Sequence, residues 1–328
     1  MLLAAIAMRF GIGCSVGYSM KPLQSDQVAG TWATILLPIA NDESIDFARL
    51  DDEIEYLLTT GVDGIYTNGT AGEFYSQTEE EFDRVQELVA EKCEKAEVPF
   101  QIGASHTSPQ ITLSRARRAV QLKPGAIQVI LPDWSPLSNA EAIAFLQRVA
   151  EAMAPIGLIL YNPPHAKRLL QPPDYAEICA AVPQLIGIKV AGHESWYAEI
   201  HQRVPRISMF VTGHQLASGC RAGASGSYSN VACLHPRGAK LWNELMKTDL
   251  EVALEMEARI QGFLDTHILP FRNREGYSNQ ALDKLLAAIG GWSNVGTRLR
   301  WPYKWLERSV AERLRPMAKE LIPELFVA

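Results

Sequence analysis

Residues 185–190 have the sequence Leu-Ile-Gly-Ile-Lys-Val, a short and almost continuously apolar run. Such a run is typical of a strand that is buried on both faces of a parallel sheet. Runs of this type recur along the chain at a mean interval of about 28 residues, the length of one strand–helix unit. They lie at Thr31–Pro38, Gly64–Thr67, Val98–Gly103, Ala126–Leu131, Gly157–Tyr161, Leu185–Val190, Ile207–Val211 and Ala224–Ser229. Eight such units in succession predict an α/β fold, the (β/α)8 or TIM barrel.

Helix signals lie between these runs. After the first run, apolar residues are spaced along one helix face, at Leu50, Ile54, Leu57 and Leu58. Gly61 follows, and a glycine at this place predicts the C-cap of that helix. Thr78-Glu79-Glu80-Glu81 predicts a capping box, in which the Thr78 hydroxyl accepts from the amide of Glu81 and the Glu81 carboxylate accepts from the amide of Thr78.

The alternation of strand and helix patterns stops after the eighth run. From about residue 237 onward the pattern indicates helices only. We therefore expect a barrel core over residues 29–236 and, over 237–328, the last barrel helix with a C-terminal helical segment. A doubly wound sheet is excluded, because residues 39–43 after the first run contain none of the glycines that its nucleotide-binding turn requires.

Residues 1–28 precede the barrel pattern, and we expect them to form a poorly ordered extension. Residues 1–16 are apolar apart from Arg9, but no basic residue stands before the apolar run, as a signal peptide requires. Met20 is an alternative start, and a signal or anchor remains the other interpretation. No other segment reaches the roughly 18 apolar residues that span a membrane, so no membrane partner is predicted.

The composition of the 328 residues is that of a globular protein, with 47% hydrophobic and 21% charged residues. The net charge is -6 and no run of lysine and arginine occurs, so no nucleic-acid partner is predicted. The cysteines are odd in number, scattered and without a CxxC pair: Cys14, Cys93, Cys179, Cys220 and Cys233. This pattern argues against a disulfide framework and a zinc site, and favours the reducing cytoplasm.

Lys189 places a charged group inside the apolar run 185–190. Burying an ammonium group costs several kcal/mol unless the group is paired or deprotonated. One interpretation is a desolvated amine of low pKa that attacks a carbonyl carbon to form a Schiff base. The other is an ordinary lysine that is held in a salt bridge or extends toward solvent. This residue alone leaves both open.

Two other predicted strands end in polar groups, where barrels of this type carry their active sites. The second run is followed by Asn68-Gly69-Thr70-Ala71-Gly72-Glu73, whose glycines permit a sharp turn. Its successive amides and the Thr70 hydroxyl can hold a carboxylate. The fifth run ends in Tyr161-Asn162-Pro163-Pro164, a phenol and an amide before a rigid turn. Each motif is by itself compatible with an ordinary turn.

In their order along the chain, these segments resemble the dihydrodipicolinate synthase / N-acetylneuraminate lyase family. The motifs are GTxGE at 69–73, YNxP at 161–164, IGIK at 186–189 and GAxGxxS at 223–229, and the resemblance covers roughly residues 29–290. It implies a (β/α)8 barrel, usually a homotetramer, that binds pyruvate or another 2-oxo acid as an imine. It implies no metal and no organic cofactor.

The resemblance also implies roles for individual residues. Lys189 matches the Schiff-base lysine, and Tyr161 matches the tyrosine that packs beside the imine. Thr70 matches a threonine whose amide and hydroxyl help to hold the carboxylate of the 2-oxo acid. Tyr228 falls where the family places a main-chain carbonyl near pyruvate. We therefore expect these four residues to surround the substrate.

Two positions depart from the family pattern. Ala71 replaces a second threonine, so that a hydroxyl is lost while the amides of Gly69 and Ala71 can still contact the substrate. Trp134, two residues after Pro132, replaces the tyrosine that donates and accepts protons, and an indole N–H cannot shuttle protons. The arginine of the lysine-pathway branch is also missing from residues 135–138, which disfavours that branch.

Trp134 is expected to make the far side of the pocket flat and apolar, which favours an aromatic or otherwise unsaturated acceptor aldehyde. The other candidates for proton transfer are His106, His193, His214 and Asp133. His193 lies four residues after Lys189, close enough to the strand end to face the pocket, although an exposed loop histidine is the alternative.

These observations predict a class I lyase in which Lys189 condenses with a 2-oxo acid. A hydratase-aldolase that acts on aryl-substituted pyruvates is one candidate. A sugar-acid aldolase or dehydratase, or a dihydrodipicolinate synthase-like enzyme, is another within the same family. A binding or regulatory paralogue that kept the pocket and lost turnover is a rival from a different class of protein.

Overall fold

The computed structural model describes residues 20–327. Eight parallel strands form a closed barrel, in which each strand pairs with the next and β8 pairs with β1. The strands are β1 Gly30–Thr34, β2 Gly64–Tyr66, β3 Phe100–Gly103, β4 Ala126–Ile130, β5 Gly157–Tyr161, β6 Leu185–Lys189, β7 Ser208–Thr212 and β8 Gly226–Tyr228. Each overlaps one predicted run, and the predicted (β/α)8 barrel is confirmed.

A helix follows each strand, and only helices follow β8 within the described part of the chain. The barrel helices are α1 Phe47–Leu58, α2 Glu79–Ala96, α3 Pro109–Ala119, α4 Asn139–Met153, α5 Pro172–Ala181, α6 Glu194–Arg203, α7 Leu216–Arg221 and α8 Asn230–Leu234. The C-terminal helices are α9 Pro236–Thr248, α10 Leu250–Phe263, α11 Leu269–Asn273, α12 Asn279–Gly290 and α13 Arg308–Leu321. The predicted helical segment after the barrel is thereby confirmed.

The predicted capping box of α2 is observed, and the predicted C-cap of α1 is shifted. Thr78 caps α2 as predicted: its hydroxyl accepts from the Glu81 amide at 3.2 Å, and the Glu81 carboxylate accepts from the Thr78 amide at 3.0 Å. Helix α1 ends earlier than predicted, because its C-cap is Thr59. Gly61 lies two residues further on with φ +75°, a left-handed conformation that glycine adopts without strain.

Apolar side chains lie on both faces of the barrel wall, which explains why the strands are continuous apolar runs. The outward-facing side chains pack against the helices and form the main hydrophobic core. The barrel interior is filled by a second, largely aromatic cluster of Val28, Trp32, Tyr66, Ala126, Ile159, Phe210 and Tyr228. Within it, the rings of Tyr66 and Tyr228 lie 4.5 Å apart in an edge-to-face arrangement. The barrel is therefore a packed core with its free space at one end.

Residues 20–28, which we expected to belong to a poorly ordered extension, are packed against the barrel. Met20 and Val28 are buried. The Ser25 hydroxyl donates to the carbonyl of Ile186 at 2.7 Å, and the Leu23 amide donates to Gly125 O at 2.8 Å. These contacts satisfy backbone groups at the start of the strands, and sequence periodicity does not reveal them. The expectations for residues 1–19 lie outside the described residues.

Candidate active site

A cavity of about 250 Å³ opens at the C-terminal ends of the strands. Strand ends and the loops after them form one wall, and the C-terminal helices form the other. The first wall includes Tyr66, Thr70, Ala71, Tyr161, Lys189 and Tyr228. The second includes Leu264, Asp265, Ile268, Leu269, Arg272, Asn279, Leu282, Asp283 and Leu286. The position of the cavity is that of the active site in TIM barrels generally.

Lys189 is the last residue of β6, and its side chain lies in this cavity among three tyrosine rings. The Nζ atom is 4.1 Å from the ring centre of Tyr161, 5.2 Å from that of Tyr228 and 5.6 Å from that of Tyr66. Within residues 20–327, no salt bridge joins Lys189 to a carboxylate. Burial lowers the pKa of Lys189 to about 8, against a weaker opposing effect of Asp283. The arrangement holds a partly neutral amine at the barrel mouth.

Tyr161 and Thr70 lie beside this amine. Their hydroxyl oxygens are 3.5 Å apart, a distance at which either can donate to the other. Burial raises the pKa of Tyr161 to about 12, so its phenol stays protonated at neutral pH. The Tyr228 hydroxyl donates to Gln101 Oε1 at 2.5 Å in the barrel interior. Both phenols can therefore act as fixed hydrogen-bonding groups, and only that of Tyr161 adjoins another cavity hydroxyl.

The loop after β2 presents Thr70 and Ala71 to the cavity. Its turn requires glycine at position 72, because a Cβ there would lie 2.8 Å from the backbone nitrogen of Asn68. Gln77 holds the loop closed by donating to Asn68 Oδ1 at 2.8 Å and to the Gly72 carbonyl at 2.9 Å. Gly69 belongs to the same turn but is not among the residues that line the cavity. The sequence motif is thus a tightly fixed turn at the site.

A buried ion pair fastens this loop to helix α12. Lys284 Nζ lies 2.6 Å from Glu73 Oε1, and both side chains are fully buried. Lys284 also donates to the carbonyl of Arg298 at 2.6 Å. Glu53 lies nearby and accepts from the Leu36 amide at 2.8 Å, and burial raises its pKa well above the usual range. The pairing couples the wall made by strand ends to the wall made by C-terminal helices.

Asp283 is the residue of the site that sequence reasoning missed. It lies on α12, next to Lys284, and its side chain faces the cavity. Burial raises the pKa of Asp283 to about 7, and the charge of Lys189 opposes this shift. The signal that could have revealed it is the pair Asp283-Lys284 inside the otherwise apolar stretch 281–286. Two adjacent charges in an apolar helix segment indicate paired or functional groups.

The structure does not place Trp134 in the cavity, contrary to our expectation. Its side chain is 85% exposed, and Lys167 Nζ lies 4.6 Å from its ring centre. Asp133 Oδ1 accepts from the Lys167 amide at 2.9 Å, which draws this loop toward the loop after β5. The expectation was wrong because β4 ends at Ile130, so that alternation of side chains along a strand no longer governs residue 134.

The candidate histidines are also distributed differently from the expectation. His193 is exposed at the N-terminus of α6, where its Nδ1 lies 2.8 Å from Ser195 Oγ, and it does not line the cavity. His106 Nδ1 accepts from the Ser108 amide at 2.9 Å, also away from the cavity. His214 does line it, and burial lowers the pKa of its ring. Of the three histidines, only His214 is therefore at the site.

The described residues contain no group of three or more His, Cys, Asp or Glu side chains placed to hold a metal ion. The cysteines of this part of the chain are free thiols: Cys93, Cys179, Cys220 and Cys233. No helix in residues 20–327 is both long and apolar enough to cross a membrane.

The closed (β/α)8 barrel, whose mouth holds a lysine amine that forms no salt bridge with any described carboxylate, defines the chain as a TIM-barrel protein with a candidate active site. Its family is shown by a family model. The model of the dihydrodipicolinate synthetase family matches residues 27–320, and the chain belongs to that family.

Curated relatives in this family include aldolases and synthases. The trans-O-hydroxybenzylidenepyruvate hydratase-aldolase of Sphingobium xenophagum is 25% identical over 301 residues, which cover 87% of this chain and 90% of that protein. The 4-hydroxy-tetrahydrodipicolinate synthase of Neisseria meningitidis is 28% identical over 244 residues, covering 72% and 82%. These relatives support an aldolase or lyase.

Solved structures share the fold. YagE, a prophage protein of the dihydrodipicolinic acid synthase family from E. coli K12, solved in complex with pyruvate, superposes with a TM-score of 0.79. It is 20% identical, and the match covers 90% of this chain and 98% of that one.

Proposed function

We propose that the chain is a class I lyase that binds a 2-oxo acid as an imine on Lys189. The amine attacks the C2 carbonyl, water leaves, and the protonated imine accepts the electron pair of the C3–C4 bond when that bond breaks. The observation that carries the proposal is the Lys189 amine, which lies in the cavity among tyrosine rings with its pKa lowered to about 8.

The lowered pKa matters because only the neutral amine is a nucleophile. At a pKa of about 8, roughly a tenth of the amine is neutral at pH 7, against less than about a thousandth at the ordinary lysine value. The electron-rich faces of the tyrosine rings stabilise the positive charge of the protonated imine. Lys189 is thus suited to form an imine and to keep it protonated.

The 2-oxo acid carboxylate is assigned to the loop after β2. Thr70 would supply a hydroxyl and an amide, and Ala71 and Gly69 would supply amides of the same turn, in which Thr70 and Ala71 line the cavity. Tyr161, 4.1 Å from Lys189 Nζ by its ring centre, packs beside the imine, and its hydroxyl adjoins Thr70. Tyr228 closes the inner side of the site. Trp134 and His193 have no part in this assignment.

The acceptor is proposed to be an aromatic or otherwise apolar aldehyde, as in a hydratase-aldolase. Support comes from the second cavity wall, whose aliphatic side chains are Leu264, Ile268, Leu269, Leu282 and Leu286. These aliphatic side chains favour flat apolar groups over polyhydroxylated sugars, because they offer no hydrogen-bond partner to a hydroxyl group. The similarity to a hydratase-aldolase over most of the chain is a second, independent support.

Trapping with borohydride tests the imine. Incubation with pyruvate and borohydride should add a lactyl group to Lys189, identified by peptide mass spectrometry. Lys189→Ala should abolish the adduct, whereas Lys167→Ala, which removes an exposed lysine near Trp134, should leave it unchanged. Labelling of a different lysine, or of none across several 2-oxo acids, would overturn the mechanism.

A panel of aldehydes tests the acceptor. Aromatic aldehydes should condense with pyruvate at least tenfold faster than hydroxylated aldehydes of similar size, which corresponds to about 1.4 kcal/mol. Faster turnover of the hydroxylated set would favour the sugar-acid branch. An adduct without turnover of any aldehyde would favour the non-catalytic paralogue.

We also propose a homotetramer in the cytoplasm. The assembly rests on the family resemblance and on the preference of soluble oligomers for closed symmetry. The compartment rests on the free thiols of the described residues. Light scattering at micromolar concentration should return four times the mass of the 36.3 kDa chain. A monomer mass would contradict the assembly.

A further inference from the structure

The cavity holds an amine on one wall and a carboxyl group on the other. Lys189 comes from the barrel, and Asp283 comes from α12 among the C-terminal helices. The two charges influence each other, yet no salt bridge within 4.0 Å joins them. Both groups line the same cavity of about 250 Å³, so a ligand bound to Lys189 shares this space with the Asp283 carboxyl group.

Most other titratable groups at the inner end of the cavity are held in one protonation state at neutral pH. Burial raises the pKa of Tyr66, Tyr161 and Tyr228, and that of Cys233. Tyr75, behind the β2 loop, is shifted in the same direction. Each of these groups keeps its proton, so none can accept one from a substrate. Asp283 differs, because its pKa of about 7 allows it both to accept and to donate.

The remaining polar groups of the cavity are engaged elsewhere or face solvent. His214 Nδ1 lies 3.0 Å from Asn230 Nδ2, and burial lowers the pKa of the His214 ring below its ordinary value, which makes it a weaker base than Asp283. Arg272 is exposed and donates to Asn273 Oδ1 at 3.1 Å, and Asp265 is exposed at the rim. The side chain of Asp283, by contrast, makes no hydrogen bond or salt bridge within the described chain.

We propose that Asp283 is the catalytic residue that transfers protons to and from the substrate carbon and oxygen in this enzyme. The proposal rests on the proposed imine chemistry of Lys189. It assigns to a helix after the barrel the proton transfer that the family pattern places on the strand-four tyrosine, whose position Trp134 occupies in the sequence but not in the cavity.

The two proton transfers balance over a cycle. In the protonated imine, the Asp283 carboxylate takes a proton from C3; the C–H electron pair forms the C2=C3 bond, and the electrons of the C=N bond return to nitrogen. The product is a neutral enamine and a protonated Asp283. The enamine then attacks the aldehyde carbon, and Asp283 gives its proton to the new alkoxide as the protonated imine forms again. Cleavage follows the same steps in reverse.

Exchange of the C3 hydrogens of pyruvate for deuterium isolates the first transfer, because it needs the imine and a base but no aldehyde. The test compares wild-type protein with Asp283→Asn, which keeps the shape of the side chain and removes its ionisation. Exchange is followed by proton NMR in deuterium oxide, and the Lys189 adduct is measured on the same samples. We expect Asp283→Asn to form the adduct within threefold of wild type and to lose exchange by roughly 100-fold or more.

Asp52→Asn is the matched control, because Asp52 is an exposed residue of α1 and the chemical change is identical. Both of its readouts should stay within twofold of wild type. Exchange by Asp283→Asn within threefold of wild type would overturn the proposal, and so would loss of adduct and exchange together, which would indicate a structural role. A wild-type protein without any adduct would instead refute the proposed function, so the two failures are distinguishable.

Discussion

Lys189 and Lys284 are two lysines at the same end of the barrel, and the structure treats them in opposite ways. Lys284 is fully buried and paired: its Nζ lies 2.6 Å from Glu73 Oε1 and donates a hydrogen bond to the carbonyl of Arg298. Lys189 lies in the cavity with tyrosine rings around it and no carboxylate in salt-bridge contact within the described residues.

The difference shows how one physical cost can have two outcomes. Desolvation lowers the pKa of both amines. At Lys284 the charges of Glu73 and Glu53 oppose the shift, so the group serves as a structural ion pair between the β2 loop and α12. At Lys189 desolvation outweighs the opposing charge of Asp283 and lowers the pKa to about 8, so a substantial fraction of the amine is neutral. Pairing, more than burial, distinguishes the two lysines.

The largest effect on activity is expected from Lys189→Met. Turnover and borohydride adduct should both fall below detection, because Lys189 carries the only amine among the described residues that line the cavity. Stability should not fall, and should rise by about 1 kcal/mol, since an amine that is costly to bury is replaced by an apolar chain. Urea unfolding followed by circular dichroism measures the second effect. Residual turnover above about 1% of wild type would contradict the assignment of Lys189 as the imine-forming residue.

Lys284→Met should have the converse effect, with a loss of about 3–5 kcal/mol in the free energy of unfolding. The physical reason is that Glu73 is left buried without its partner. The double variant Glu73→Gln/Lys284→Met should recover a large part of the loss, because it removes the unpaired charge as well. Urea unfolding of the wild type, Glu73→Gln, Lys284→Met and the double variant gives the coupling energy of the pair. A single-variant loss below about 1 kcal/mol would show that the pair is not a structural element.

The pH dependence of imine formation tests whether the pKa of Lys189 is lowered. The pKa of Lys189 is lowered to about 8, so the neutral amine is the minor form below this pH and the major form above it. The initial rate of adduct formation should rise by about tenfold between pH 7 and pH 9 and level off above that. An amine with the ordinary lysine pKa would show a rise of about 100-fold with no plateau. Stopped reactions analysed by mass spectrometry distinguish the two.

Trp134→Ala should have the smallest effect of these substitutions. Because the indole is exposed outside the cavity, kcat/KM for an aromatic aldehyde should change by less than about twofold. Leu269→Ala, which shortens a side chain of the apolar wall, should lower it by roughly 3- to 10-fold through lost contact area. If the tryptophan variant were the more damaged of the two, the loop after β4 would have to close over the site.

The residues that sequence reasoning placed correctly in the cavity lie at strand ends. Lys189 and Tyr161 are the last residues of β6 and β5, and Tyr228 is the last residue of β8. Their direction follows from the strand pattern, because successive side chains alternate between barrel interior and helix layer. The family motif added Thr70. These positions depend on only a few neighbouring residues.

The errors lie where the strand pattern ends. Trp134 and His193 were placed by counting from a strand end, but the chain leaves the strand before reaching them, and loop hydrogen bonds such as that from Lys167 to Asp133 set its course. Asp283 was missed because it follows Lys189 by more than 90 residues and reaches the cavity through the packing of α12. No periodic pattern links a helix of the C-terminal segment to one strand end.

The sequence by itself determined the eight strand–helix units, the closed parallel barrel and the lysine at the end of the sixth strand. These follow from local hydrophobic patterns and from the need of every strand to satisfy its backbone hydrogen bonds. Only the tertiary structure decided that Lys189 is left without a carboxylate partner, that Lys284 is paired with Glu73, and that Asp283 faces the same cavity as Lys189. The reason is that desolvation and charge interactions sum over every element packed around a group, and those elements lie far apart in the chain.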